Sequence, residues 1–245
     1  MTDNRLFDMA LLLILAVLLV LMGRWLVKWG RETAEKRYRV DDGAVLPRIP
    51  ETALAPLDDT PDGPVPFGYK MGWLAAKCED PHRLMEVLGL RDPKPANWTT
   101  GLAHAGYQGR VFVSPALDGY VLAVGLWAED LEDVPGRTER LVDSFPEVQL
   151  FGSHRISDYH YWTKYVDGKV VRGYICQDAG VVWDEGGLTP EELALGFERF
   201  PGADRESGWL PGEEDVLDIA AAWGVDPRFQ KEAYPPSVGW VCDCT

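Results

Sequence analysis

Residues 159–177 read YHYWTKYVDGKVVRGYICQ, and this stretch decides the fold. Two runs rich in aromatic and β-branched residues, 159–166 and 169–177, flank the pair Asp167-Gly168. An Asp-Gly pair between two such runs is a strong signal for a two-residue hairpin turn, because that turn needs positive φ angles. We therefore predict an antiparallel hairpin here, with a third short strand over 181–183.

Strand and helix patterns alternate upstream of this hairpin. Strands are predicted at 69–77, 110–114, 120–125 and 148–154. Helices are predicted at 81–90, where Asp80-Pro81 supplies an N-cap and a first-turn proline, and at 136–145. This βαββαβ order is that of a ferredoxin-like unit, a split βαβ sheet with two helices on one face. Downstream, an acidic first turn and an apolar stripe predict a helix over 212–224.

The first 39 residues contain an apolar run that predicts a transmembrane helix. Residues 9–22, MALLLILAVLLVLM, have no polar side chain, and the run extends over 7–27 with three interruptions. At about 1.5 Å per residue, a helix of that length matches the hydrocarbon core of a bilayer. A cleaved signal peptide is the alternative, but a basic leader and a small-residue cleavage site are missing.

The charges around this run predict its orientation. Six of the seven basic residues of 1–39 lie at or beyond the C-terminal end of the run. The positive-inside rule then places the following chain in the cytoplasm. The sequence thus predicts a single-pass protein of the inner membrane, with the lipid bilayer as one partner and the body on the cytoplasmic side.

The remaining chain divides into a linker and a body. Residues 40–66 hold six prolines and several Asp and Gly residues, which predicts a semi-extended spacer. Residues 67–245 are predicted to form one α+β body, in which the ferredoxin-like unit is extended by the β-hairpin and the C-terminal helix. The expected organisation is therefore an anchor with its basic flank (1–39), a Pro/Asp-rich linker (40–66) and an acidic body (67–245).

The net charge of −15 is unevenly distributed along the chain. Residues 1–39 carry 7 basic and 4 acidic residues, whereas 40–245 carry 17 basic and 35 acidic residues. An acidic body argues against nucleic acid as a partner, because affinity for nucleic acid comes mainly from Lys and Arg on phosphates. The same charge favours a basic protein partner.

Two polar clusters are candidates for a site. His154, Arg155, Asp158 and His160 lie within seven residues, a density that suits acid–base chemistry or metal binding. The alternative is a polar corner in which these side chains satisfy backbone groups between two strands. The adjacent carboxylates Asp184 and Glu185 could bind a divalent cation, although turn and helix-entry chemistry explains them as well.

The remaining motifs argue against common nucleotide-binding and hydrolase families and against a zinc site. Phosphate-binding loops, dinucleotide fingerprints and nucleophile elbows are absent from the sequence. Cys242 and Cys244 form a C-x-C pair that no second cysteine pair completes to a zinc site, so neither metal nor cofactor is predicted. Trp98 and Trp209 lie in Gly/Pro-rich stretches, where exposed aromatic residues commonly anchor protein partners.

Four segments together carry a resemblance to a known group of proteins. They begin FGYK at 67, FVSP at 112, FGSHR at 151 and WDEG at 183. The pattern over about 67–230 resembles uncharacterised bacterial proteins, some of which look like immunity proteins of toxin systems. With the predicted anchor, the resemblance implies a membrane-anchored binding protein that neutralises a cognate bacterial toxin by occluding it. The absence of a catalytic motif favours a role other than that of an enzyme. A structural or assembly subunit of an envelope or secretion complex is the alternative, and an enzyme built on His154, Asp158 and His160 is the third hypothesis.

Overall fold

Nine strands form one antiparallel sheet in the part of the chain that the computed structural model describes, residues 55–105, 109–126, 130–131, 134–177, 180–197, 211–230 and 233–244. The strands are β1 (Gly72–Lys77), β2 (Arg91–Asn97), β3 (Arg110–Val113), β4 (Tyr120–Val124), β5 (Glu147–His154), β6 (Tyr159–Val166), β7 (Lys169–Gln177), β8 (Gly180–Gly186) and β9 (Val238–Asp243). Their order across the sheet is β2-β9-β3-β4-β1-β5-β6-β7-β8, so β2 and β8 are the outer strands.

Five helices in the described part of the chain accompany these strands. They are α1 (Pro81–Leu88), α2 (Trp98–His104), α3 (Arg137–Ser144), α4 (Pro190–Ala194) and α5 (Glu213–Trp223). Local sequence explains the ends of α1, because Asp80 accepts a hydrogen bond from the main chain of His82 and Gly89 adopts a left-handed conformation at its end. At α4, Thr189 and Glu192 form a capping box.

The sheet separates two apolar clusters. Alternation along β1 sends Trp73 to the face packed by α2 and α5, which we call the α5 face, and Leu74 to the face packed by α1 and α3, which we call the α1 face. The same alternation along β6 places Trp162 on the α5 face and Tyr161 on the α1 face.

The predicted hairpin is confirmed with its bounds, since β6 and β7 are antiparallel and joined at Asp167-Gly168. The predicted architecture as a whole is wrong. Instead of a ferredoxin-like unit with helices on one face and an added hairpin, the structure shows one sheet of nine strands with few helices, and these lie on both faces.

Two strands that the sequence did not predict explain much of this difference. β2 contains Pro93 and Pro95, which argue against a strand but are tolerated at a sheet edge. β9 pairs with both β2 and β3, so it inserts a strand from distant sequence between them. Strands β6 to β8 then continue the same sheet beyond β5.

The membrane prediction is corrected by the structure. No helix among the described residues is long and apolar enough to cross a bilayer. This finding contradicts the predicted transmembrane helix, the single-pass topology and the inner-membrane location. The run at 7–27, on which those predictions depended, lies outside the described residues, as does 40–54 of the predicted linker.

Residues 55–66 of the predicted linker contact the body. The carboxylate of Asp62 accepts hydrogen bonds from the main-chain N–H groups of Trp98 at 2.7 Å and Thr99 at 3.1 Å, at the start of α2. The carbonyl of Asp58 accepts from the main chain of Asn97 at 2.6 Å. This segment therefore caps α2, a role that its proline content did not indicate.

Candidate functional site

His160 lies in a row of three side chains that crosses the sheet. Strand register places it opposite Ser153 of β5 and Cys176 of β7, and all three are buried. Its Nδ1 is 3.2 Å from Ser153 Oγ, and its Nε2 is 3.7 Å from a carboxylate oxygen of Asp158. Burial lowers the pKa of His160, although the carboxylate of Asp158 opposes that shift. The imidazole is therefore neutral near pH 7.

His154 lies on the opposite face from His160. Four residues separate β5 from β6, and the register pairs His154 with Tyr159, which packs against the α1 face. The Nδ1 of His154 is 2.8 Å from Ser157 Oγ. The structure therefore does not bring the two histidines together, as the acid–base hypothesis requires. In one continuous strand they would share a face, but the turn between β5 and β6 places them on opposite faces of the sheet.

The thiol of Cys176 completes the buried row. It donates to the carbonyl of Pro211 at 3.9 Å, just before α5. Burial raises the pKa of this thiol to about 11, so the sulfur keeps its proton at neutral pH. The row therefore holds a protonated thiol beside a neutral imidazole, both buried, with the imidazole in contact with side-chain atoms of Ser153 and Asp158.

Arg155 and Asp158 lie at the exposed rim of this corner. Arg155 Nη1 is 3.8 Å from a carboxylate oxygen of Glu213, the first residue of α5. Asp158 adopts a positive φ of 48° in the turn before β6. These two residues therefore fix the β5–β6 turn and link it to α5.

Asp184 belongs to a different cluster, which is centred on Arg172. The Arg172 side chain is only 1% exposed, and its Nη1 donates to Asp184 Oδ1 at 2.6 Å. Its Nε donates to both carboxylate oxygens of the fully buried Glu192, at 2.8 and 3.0 Å. Trp162 Nε1 also donates to Glu192, at 2.9 Å. Arg172 thus joins β7 to β8 and to α4.

The structure does not bring His160 and Asp184 together. On the α5 face, the register places Trp162, Tyr174 and Asp184 in one row and His160 with Cys176 in the next. Glu185 is exposed and accepts from Trp183 Nε1 at 3.2 Å. The sequence analysis missed Arg172 and the burial of Glu192, whose side chain also forms the capping box with Thr189 at the start of α4.

Only one of the two tryptophans predicted as anchors for a partner lies among the described residues. Trp98 is the first residue of α2 and is 0% exposed, with its Nε1 donating to Ser237 Oγ at 3.0 Å. A fully buried side chain supports the core and offers no surface to a partner. Trp209 lies outside the described residues.

The outer strand β8 combines exposed apolar side chains with an edge that no described strand pairs. Of the six exposed large hydrophobic residues in the described part of the chain, four lie on β7, β8 and α4 or directly after α4: Val171, Val182, Leu193 and Leu195. Val182 is 63% exposed. No strand of the described residues pairs with the far side of β8, and an edge strand of this kind is a template for pairing with another chain.

The opposite edge, β2, is built differently. Its sequence RDPKPAN contains two prolines and three charged residues, and its register with β9 shifts between Arg91 and Lys94. Prolines, charges and bulges are the usual means by which an edge strand is kept from pairing with another chain. β8, with the sequence GVVWDEG, has no proline, although it carries two carboxylates and its register with β7 also shifts, between Ile175 and Cys176.

Acidic side chains accompany the β8 edge. Residues 180–197 contain four carboxylates and no Lys or Arg. Arg172 neutralises Asp184 and Glu192, whereas Glu185 and Glu191 keep the segment negative. Neither a family model, a curated protein nor a solved structure matches this chain.

Proposed function

We propose that this protein binds another protein at β8 and acts as an immunity-type protein that covers a cognate toxin. The observation that carries the proposal is the contrast between the two outer strands. β2 is blocked by Pro93 and Pro95, whereas β8 presents Val182 and an unpaired backbone row among the described residues. A partner strand that adds to β8 would gain main-chain hydrogen bonds along its length.

The surroundings of β8 define the chemistry of the partner. A strand that pairs with β8 meets the exposed Val182 and the carboxylate of Glu185, with Glu191 following at the start of α4. An extended segment with alternating apolar and basic residues complements this edge in both respects. The partner is therefore expected to be a basic protein that offers an exposed strand.

The Arg172 cluster supports the same function, because it holds β8 and α4 in place before a partner arrives. Arg172 connects β7 to Asp184 on β8 and to Glu192 on α4 through buried hydrogen bonds. An edge that is already ordered loses less conformational entropy on binding. We therefore expect β8 to bind without rearrangement.

The experiment measures complex formation with the product of the gene adjacent to this one, together with protection of cells that express that product. Val182→Lys places a positive charge on the edge and is expected to weaken the complex at least tenfold and to abolish protection. Ile156→Lys is the matched control, because Ile156 is also exposed but lies in the β5–β6 turn. Equal effects of the two substitutions, or no complex with the full chain, would overturn the proposal.

A constitutive complex that forms without any protection of cells has a different meaning. In that case the β8 edge would serve an assembly subunit, and the immunity-type role would fail. The same pair of substitutions separates this outcome from nonspecific adhesion, because only Val182→Lys would release the neighbouring subunit.

A further inference from the structure

Arg137 is a buried cation with few partners. It is the first residue of α3, and it is 4% exposed. Its Nη1 donates to the main-chain carbonyl of Asp130 at 2.9 Å and lies 3.7 Å from the sulfur of Cys244. Its Nε is buried and has no hydrogen-bond partner.

A guanidinium group keeps its charge at any pH at which a protein is folded. A buried charge is costly unless an opposite charge or several hydrogen bonds compensate it. Among the described residues no carboxylate pairs with Arg137, and the one atom within reach of its Nη1 that can become an anion is the sulfur of Cys244. The missing compensation therefore points to that sulfur.

We propose that Cys244 is held as a thiolate by Arg137 and is a site of thiol–disulfide exchange with small-molecule disulfides. Cys244 lies directly after β9 and is partly exposed, so that a small reagent can approach it. Its main-chain N–H donates to the carbonyl of Gly109 at 2.6 Å, which fixes the backbone next to the sulfur.

The other three cysteines lack such an environment. Burial raises the pKa of the Cys176 thiol to about 11 and that of Cys242 to about 12, and it also raises the pKa of Cys78. Cys242 contacts the sulfur of Met85 at 3.3 Å inside the α1-face cluster. Reactivity is therefore expected to differ strongly among the four.

Other charged groups lie near this corner of the sheet. They are Asp243 on β9, Arg110 on β3, and Arg91 and Asp92 on β2. Arg110 pairs with Asp243 at 3.7 Å and lies 2.8 Å from His104 Nδ1. The carboxylates of Asp243 and Asp92 oppose a thiolate, so the proposal requires that the guanidinium of Arg137 outweighs them.

The Cys244 thiolate attacks one sulfur of the small-molecule disulfide, the disulfide bond breaks, and a mixed disulfide forms on Cys244. The other half leaves as a thiolate and takes a proton from solvent. The exchange removes the negative charge opposite Arg137, so the modified protein is expected to unfold more readily than the reduced one.

Alkylation of the full chain with iodoacetamide between pH 5.5 and 9, read at each cysteine by mass spectrometry, tests the proposal. An ordinary thiol is about 1% ionised at pH 6.5. Cys244 is expected to react at least tenfold faster at that pH in the folded wild type than in the same chain unfolded in denaturant. It is also expected to form a mixed disulfide with oxidised glutathione before the other cysteines do.

Arg137→Gln is expected to reduce the rate at Cys244 at least tenfold at pH 6.5, whereas Arg140→Gln, an exposed position on the same helix, is expected to leave it unchanged. If Cys244 reacts no faster in the folded wild type than in the unfolded chain, the proposal fails. That comparison needs no variant, so it decides the matter even if Arg137→Gln does not fold.

Discussion

Replacing Arg172 with methionine leaves two carboxylates without their cation where β7, β8 and α4 meet. Methionine keeps most of the length of the side chain and removes the charge and all of its hydrogen bonds. In the wild type the guanidinium binds Glu192 at 2.8 Å and Asp184 at 2.6 Å. It also donates to the carbonyls of Gly173 and Glu185.

The expected loss in the free energy of unfolding is large because the ion pair is buried. Arg172 is 1% and Glu192 0% exposed, so Arg172→Met strands the charge of Glu192 in the interior. Removing one partner of a buried ion pair typically costs about 3–5 kcal/mol of the free energy of unfolding. Glu192→Gln keeps the volume and is expected to cost somewhat less. In the double variant the fully buried charge of Glu192 is no longer stranded and only that of Asp184 remains, so its loss is expected to fall short of the sum by about 1–3 kcal/mol.

Urea unfolding followed by tryptophan fluorescence measures these free energies. Arg83→Gln is the control, because Arg83 and Glu86 form an ion pair at 2.9 Å whose side chains are 48% and 72% exposed. An exposed pair of this kind contributes at most about 0.5 kcal/mol. The reasoning is refuted if Arg172→Met costs no more than Arg83→Gln, or if the losses from Arg172→Met and Glu192→Gln add fully.

Two further predictions concern the hairpin region. Gly152→Ala is expected to cost about 1–3 kcal/mol in a thermal or urea unfolding experiment, because the new methyl group would overlap the buried ring of Tyr161; Gly63→Ala, with nothing within 4 Å, is the control. Because burial lowers the pKa of His160 below its unfolded value, the wild type is expected to lose stability as pH falls below about 6.5, whereas His160→Gln loses less over that range; identical slopes would contradict this.

The β6–β7 hairpin could be predicted because its signal is local. Asp167 and Gly168 supply the turn, with positive φ angles of 48° and 74°, and the runs on either side carry their own strand preference. The remaining sheet depends on pairings between distant residues, such as β9 with β3. Neither hydrophobic period nor turn chemistry contains that information.

The arrangement of the candidate site also depends on information that local sequence patterns do not contain. Whether His154 and His160 share a face depends on the number of residues in the turn between them, which the sequence pattern leaves undetermined. The partner of Arg172 is Glu192, twenty residues further along the chain, and the fold alone brings them together. The Gly/Pro-rich surroundings of Trp98 predict a loop, yet Trp98 begins α2, where its main-chain N–H donates to Asp62 of the predicted linker.

The contrast between the two sheet edges is the central claim, and amide hydrogen exchange of the protein with and without its partner tests it most directly. The partner is the product of the adjacent gene, and the measurement compares the amides of β8 (Gly180–Gly186) with those of β2 (Arg91–Asn97). We expect complex formation to slow exchange along β8 and to leave β2 unchanged. Protection that appears at β2 or elsewhere while β8 exchanges as in the unbound protein would contradict the account.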